Sequence, residues 1–393
     1  MKKWLAILLI MSMLVVFVSC GLLSNPTETP EQPQEQSADT QQPDANPQPD
    51  TNPLPDGNVT PQPTDEELYG FAGFEEGSDE ARLYVMIHKK VAAIVSGEET
   101  KAEFFFENFE TEAATYEFEQ TVHIVVDTLW THSPYEMFWY EEGTGYHFNV
   151  YPQSGAFDLR LRLAVSRDYK TLNQYQVDTT KLARAHQAKE YADSIAAAAT
   201  GTDYEKILYF KEQICNMVHY DQESFEQMSA GSLQCGNDPW QMISVFDKDP
   251  STNVVCAGYA KAFQYLCYQV GIECKMVSGD VAFPNGGGGS HMWNIVTLDG
   301  KNYIVDITNA DAFGQNQLVL AGGTGDILTG YTDVNTGTHF RYFTKSDNAA
   351  DMLAIFTEEE LTICATSYSE QDPVVPQNPD DTENPTDPPQ NND

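Results

Sequence analysis

Val254-Val255-Cys256-Ala257-Gly258-Tyr259-Ala260-Lys261-Ala262-Phe263-Gln264-Tyr265-Leu266-Cys267 and, further on, His291-Met292-Trp293-Asn294-Ile295-Val296-Thr297-Leu298-Asp299-Gly300-Lys301-Asn302-Tyr303-Ile304-Val305-Asp306-Ile307 are the stretches whose reading decides the fold. In the first, Ala260, Phe263, Leu266 and Val270 recur at helical spacing, which predicts a helix from Cys256 to Val270. The loop Asp247-Lys248-Asp249-Pro250-Ser251-Thr252-Asn253 carries a proline and acceptor side chains that stop that helix from extending backward. Cys256 therefore falls at the helix N-terminus, where free N–H groups and the positive end of the macrodipole stabilise a thiolate and can also hold an oxyanion. The second stretch predicts a hairpin closed by Asp299-Gly300, a strong two-residue turn signal.

The turn sets the register. Symmetric closure puts Leu298 opposite Lys301, Ile295 opposite Ile304 and Trp293 opposite Asp306, so His291 and Asp306 share a face as diagonal neighbours within side-chain reach. Asn294 points to the other face, which disfavours it as the third member of a Cys-His-Asn set. Each residue type is common by itself in packing or at a surface. Their order and parity together single out Cys256 as nucleophile, His291 as base and Asp306 as the acid that orients the base.

These residues carry a resemblance. From Val254 to Asp311, the runs C-A-G-Y-A-x-A-F, G-I-E-C-K-x-V-S-G, H-M-W-N and D-G-K-N-Y-x-V-D-I-T resemble the core of the transglutaminase-like superfamily of papain-fold proteins. The segment Lys206 to His219 with Tyr220-Asp221, and Pro134 to Trp139, resemble bacterial members more loosely. The resemblance implies an α+β fold with a papain-like, transglutaminase-like core, in which a nucleophile helix packs on an antiparallel sheet. It implies Cys256, His291 and Asp306 as the catalytic residues. Two positions depart from the family pattern: Val255 stands where Gly is common before the nucleophile, and Asn309 where Trp usually follows D-x-T. The implied chemistry is acyl transfer through a thioester, with the Cys256 N–H and a second donor, Trp240 or Tyr220, at the oxyanion. Resolution by water gives a protease or amidase, and resolution by an amine gives a cross-linker. The family also contains silent members, so a noncatalytic envelope-binding or scaffold protein is the alternative. No cofactor is implied.

The rest of the chain gives context. Met1-Lys2-Lys3, the apolar run Trp4 to Val18 and Ser19-Cys20-Gly21 read as a lipoprotein signal over residues 1–20 with Cys20 as lipid anchor; ordinary signal cleavage or an uncleaved anchor are the alternatives. Each places the protein outside a bacterial membrane, and the lipid-anchored form on its extracellular face. Residues 21–68, rich in Pro, Gln, Thr and acids, read as a disordered linker, and 370–393 as a disordered acidic tail. Between them, 69–177 reads as an accessory α+β region and 178–369 as the transglutaminase-like domain. In the accessory region, Asp79–Val95 and Glu112–Leu129 predict helices, and Phe157–Val165 predicts a strand with partners at Met137–Tyr140 and Tyr146–Tyr151. Asp178–Ala199 and Asp203–His219 predict helices leading into the core.

The net charge is −38, and linker and tail hold seventeen of the 59 acids with no base, so the body itself is acidic. Such a surface repels nucleic acid, leaving a peptide or protein substrate, including cell-wall peptide, and the membrane at the anchor as the expected partners. Cys215, Cys235, Cys267, Cys274 and Cys364 are odd in number and cannot all pair with one another; Cys267 falls on the core stripe of the Cys256 helix. Asp247, Asp249, Ser251 and Asn253 have the spacing of a calcium loop, but Thr252 replaces its required glycine, and no metal is expected. Gly286-Gly287-Gly288-Gly289 precedes a strand and reads as a flap beside His291, or as a passive loop.

Overall fold

The computed structural model describes residues 63–229, 238–283, 286–312, 314, 318–327, 330–334, 340–344 and 352–369. Cys20, the linker as far as residue 62, Cys235 and the tail from 370 lie outside the described residues.

Helix α1 (Asp65–Phe71) begins inside the stretch read as linker. Thr64 and Glu67 form a reciprocal capping box at its start, and Leu68 is buried, so local capping and one apolar anchor order residues that composition alone assigns to the tether. Helices α2 (Asp79–Ser96) and α3 (Glu112–His132) follow, capped by Ser78 and Thr111. A three-stranded antiparallel sheet, β1 (Glu103–Phe109), β2 (Tyr146–Gln153) and β3 (Ala156–Leu163), is ordered β1-β3-β2. Tyr146–Tyr151 pairs with β3 as expected.

Met137–Tyr140 does not form a strand. Its run of Met, Phe, Trp and Tyr is buried in turns on every side, and Tyr140 alone makes an isolated bridge, to Val165. The second partner of β3 is instead β1, whose Phe104 is buried and Phe105 is 65% exposed. Three consecutive phenylalanines and a register shift between Phe106 and Phe109 hide its alternation in the sequence.

After a 3-10 turn at Thr179–Lys181 come α4 (Ala183–Ala198), α5 (Asp203–Met217), α6 (Gln222–Ser229) and α7 (Ile243–Phe246). They surround α8 (Cys256–Gln269), whose residues Ala257 to Cys267 are all buried. The amphipathic stripe of the sequence is thus part of a helix buried on all sides. Its polar members have partners: Lys261 Nζ donates to Gln241 Oε1 at 3.2 Å and lies over the Trp130 ring, and Gln264 Nε2 donates to the carbonyls of Thr131 and Cys274 at 3.0 and 3.2 Å. Gln264 thereby ties α3 to the nucleophile helix, and one apolar cluster runs from Leu68 through α2, α3 and α4 into α8.

The second sheet is antiparallel and six-stranded, in the order β7-β6-β5-β4-β9-β8. Its strands are β4 (Cys274–Ala282), β5 (Gly288–Leu298), β6 (Lys301–Val305), β7 (Val319–Ala321), β8 (Tyr331–Val334) and β9 (Phe340–Phe343), and α9 (Ile307–Ala312) follows β6. Asp299 and Gly300 have φ of 52° and 70°, the left-handed pair a type I′ turn needs, and Leu298↔Lys301 and Ile295↔Ile304 are in the predicted register. Met292, Val296 and Leu298 pack in the cluster that holds α8, while Trp293 and Ile295 pack on the opposite face with Tyr331, Phe340 and Tyr342.

Half of the tetraglycine is not a flap. Gly288 and Gly289 pair with Ala282 and Val281, and Gly288 has φ +125° with its absent Cβ 1.9 Å from the Val281 carbonyl oxygen, so glycine is needed for β4 and β5 to close. The same logic holds where α8 begins: a Cβ on Gly258 would meet Val254 Cβ at 2.7 Å and the Pro239 oxygen at 2.8 Å. Gly258→Ala is expected to displace the start of α8 and to cost about 1–3 kcal/mol, read from denaturant unfolding; unchanged stability would show that the segment before Cys256 is loosely held.

Candidate active site

Backbone pairing on two sides sets the start of α8. Val254 N–H donates to His219 O at 3.2 Å, Asp221 N–H donates to Val254 O at 2.9 Å, and Val255 N–H donates to Pro239 O at 2.9 Å. Val255 is extended and the helix turns in at Cys256, with no side-chain cap. The first N–H groups of a helix lack intrahelical acceptors; Gly258 N–H is taken up by Val255 O at 3.0 Å, which leaves those of Cys256 and Ala257 at the open end of α8.

His291 lies on β5 with only 8% exposure, and Asp306, directly after β6, has none. His291 Nε2 is 2.8 Å from Asp306 Oδ2, as the hairpin parity predicts. Asp306 takes Nε2, and Cys256 lies near enough to the ring to help raise its pKa. The Trp293 ring stacks beside His291, with centroids 6.2 Å apart and planes 18° from parallel. Asn294 points to the other face, donating to Ala260 O at 3.2 Å, and so fastens the sheet to α8.

The electrostatics follow from this packing. Burial pushes the His291 pKa down, but the Asp306 charge and hydrogen bond, with those of Cys256, outweigh it and raise the imidazole to about 10. Burial likewise disfavours ionised Asp306, yet the His291 charge and the bonds from His291, Tyr342 and the Asn309 backbone hold its carboxyl below the usual range. The geometry therefore holds an imidazolium against a carboxylate at neutral pH.

Tyr220 stands near the nucleophile: burial first, then the Cys256 charge and Asp221, raises its phenol, which keeps the hydroxyl a donor. Trp240 follows Pro239, the residue whose carbonyl seats Val255, and is half-buried against the core. Of the two oxyanion candidates, Tyr220 is thus the one with an electrostatic link to Cys256. The calcium-like loop has its oxygens engaged: Asp247 Oδ2 accepts from Arg184 at 2.6 Å, Asp249 Oδ1 accepts from Ser251 N–H at 2.9 Å, and Asn253 Oδ1 accepts from His219 N–H at 3.0 Å.

Burial and Asp311 push Cys215 up to about 12, and burial raises Cys267 well above its ordinary value. Cys364 is partly exposed; burial opposes its ionisation, but bonds from Thr366 and Tyr303 and the charge of Lys301 lower its pKa. Its peptide is therefore to be counted separately in any labelling experiment. Sequence reasoning missed Tyr342, whose hydroxyl donates to Asp306 Oδ2 at 2.7 Å, and saw Asn309 only as a departure, although its Nδ2 donates to the same oxygen at 2.6 Å. Nothing in the sequence marks Tyr342, 36 residues beyond Asp306 and brought in by β9.

Residues 189–307 match the family model of the transglutaminase-like superfamily, so the chain carries a transglutaminase-like domain there, a fold used by cysteine enzymes. Cys256, His291 and Asp306 all lie within that segment. Among solved structures the chain is similar to a "TGase" at 14% identity and TM-score 0.29, covering 58% of this chain and 66% of that one. It is also similar to a "putative protease" from Parabacteroides distasonis ATCC 8503, at 12% identity and TM-score 0.21 over 42% of this chain and 39% of that one. A third, a "putative cysteine protease" from Cytophaga hutchinsonii, has 15% identity and TM-score 0.22 over 45% of this chain and 64% of that one. The chain thus spans less than two thirds of the length of each of these proteins. No curated protein matches it.

A raised imidazole has a definite signature. The contribution of the His291 proton to stability is complete below pH 6.5 and is lost as the pH rises through about 10, whereas that of the Asp306 carboxylate is lost as the pH falls below the usual carboxylate range. Asp306→Asn removes the larger of the two influences that oppose burial and leaves only that of Cys256, so the His291 titration followed by NMR is expected to fall well below about 10. A titration that stays near 10 in Asp306→Asn would show that another group holds the proton.

Proposed function

We propose that the protein is a lipid-anchored cysteine enzyme that cleaves or transfers peptide or isopeptide amide bonds of envelope or extracellular proteins. The observation that carries this reading is the buried His291–Asp306 pair, 2.8 Å apart, with Cys256 at a helix start near enough to raise the imidazole pKa.

The chemistry runs through a thioester. The Cys256 proton resides on His291 and the sulfur attacks the amide carbonyl carbon, placing negative charge on the carbonyl oxygen. The Cys256 N–H and a second donor, Tyr220 or Trp240, stabilise that oxygen. As the C–N bond breaks, His291 gives its proton to the leaving amine. An incoming water or amine then loses a proton to His291 as it attacks the thioester, and the sulfur leaves as thiolate beside the imidazolium when the acid or new amide departs. Asp306 orients the ring throughout and balances the imidazolium charge.

The anchor reading rests on Met1-Lys2-Lys3, the apolar run to Val18 and Cys20, and it sets the reaction at the outer face of a bacterial membrane.

The test is a screen of the full chain against peptidoglycan peptides and casein-like proteins, with and without a primary amine. Cys256→Ala is expected to lower amide-bond turnover about a thousandfold or more, and acyl-Cys256 is expected in mass spectra of the quenched wild type. Activity that survives Cys256→Ala would end the enzyme reading, and a silent wild type would favour the binding or scaffold role. Cys20→Ser is expected to move the protein from the membrane to the soluble fraction of expressing bacteria; unchanged fractionation would remove the lipid anchor from the proposal.

A further inference from the structure

We propose that Asn309 and Tyr342, both beyond the family-matched segment that ends at residue 307, are positioning residues that clamp the Asp306 carboxylate onto His291. The effect on turnover rests on the function proposed above, whereas the clamp itself rests on geometry alone.

An ionised carboxylate offers about four lone-pair sites, and one removed from water must fill them with protein donors. Asp306 has no exposure and receives four hydrogen bonds. Its Oδ1 accepts the Asn309 backbone N–H at 3.0 Å, and Ala310 N–H donates to the Asp306 carbonyl at 3.1 Å, so this residue also caps α9. Its Oδ2 accepts His291 Nε2 at 2.8 Å, Asn309 Nδ2 at 2.6 Å and the Tyr342 hydroxyl at 2.7 Å. One oxygen is occupied in holding the helix; the other is drawn to the point where three donors from separate elements meet. Asn309 Nδ2 lies 3.4 Å from His291 Nε2, too close for either donor to shift without crowding the other.

The two clamping groups arrive by different routes. Asn309 is placed by the first turn of α9, which Asp306 itself caps. Tyr342 is fully buried and stands on β9, held opposite Val281 of β4, so it reaches Asp306 from two strands beyond β5 in the sheet. The amide of Asn309 thus turns a departure from the family pattern into a contact with the orienting acid. The ionisable groups facing the pair are Cys256 from α8, with Tyr220 beyond it, and Tyr342 from β9.

The experiment uses full-length wild type, Tyr342→Phe, Asn309→Leu and, as a control, Tyr331→Phe. Tyr331 is a buried tyrosine of β8 whose hydroxyl donates to Leu361 O. Iodoacetamide labelling of the Cys256 peptide is followed against pH by mass spectrometry, with the Cys364 peptide counted separately, and His291 is titrated by imidazole NMR. Loss of one donor to a buried carboxylate is expected to raise the acid limb of Cys256 labelling by about one pH unit. Turnover of an amide substrate is expected to fall about tenfold with KM changed less than about twofold. Tyr331→Phe is expected to lower stability without moving either pH profile.

Folded Tyr342→Phe and Asn309→Leu proteins with wild-type labelling and His291 titrations would overturn the clamp. Should those variants fail to fold, the wild type decides: a slowly exchanging Tyr342 hydroxyl proton close to the His291 Nε2–H is expected, and its absence overturns the proposal. Wild-type protein that shows the clamp's signatures but turns over no amide would keep the clamp and end the proposed function.

Discussion

A carboxylate with no exposure is the constraint on which the site depends. Asp306 could not stay ionised at that depth without donors on both oxygens, and each donor commits a different piece of chain: β5 through His291, α9 through Asn309 and β9 through Tyr342. The charge therefore has a structural consequence beyond its own pair. It caps the start of α9, takes a hydrogen bond from β9 where that strand pairs with β4, and holds the imidazole through Nε2.

The nucleophile arrives from the other side of the architecture. Helix α8 is buried along almost its whole length, so its position is set by packing against α4, α5, α7 and the sheet, not by its own propensity. Asn294 and Gln264 add directional contacts from the helix to β4, β5 and the end of α3. At its N-terminus, pairing of Val254 and Val255 with residues 219–221 and 239 leaves little freedom in where Cys256 emerges, and Gly258 is the residue that lets those strands approach. A buried helix held this way presents its first turn as a rigid platform.

Expectation and structure part company in instructive places. The helix at Cys256 and the Asp299-Gly300 hairpin were legible because each depends on local rules: a 3.6-residue period after a helix-breaking loop, and a turn dipeptide with two left-handed residues. Met137–Tyr140 was misread because residues buried on every side show no period, and β1 was missed because Phe104-Phe105-Phe106 is apolar on both faces while Asn108, at φ 67°, breaks the strand's regularity. The tetraglycine looked like a loop, yet close approach of two strands at Gly288 is the reason glycine stands there. Helix α1 lay hidden in a linker-like composition, because one capping box and one buried leucine are too small a signal against a Pro-rich background.

By itself, the sequence determined the facing of His291 and Asp306 across a defined hairpin, the helix that begins at Cys256 and the acidic character of the body, since all three follow from order, period and composition. Only the tertiary structure decided that Asn309 and Tyr342 share one oxygen of Asp306 with His291. The physical reason is distance along the chain. A hairpin's register is written in its own turn, whereas a tyrosine that closes a hydrogen bond from 36 residues away is placed by strand pairing and core packing that no local pattern encodes.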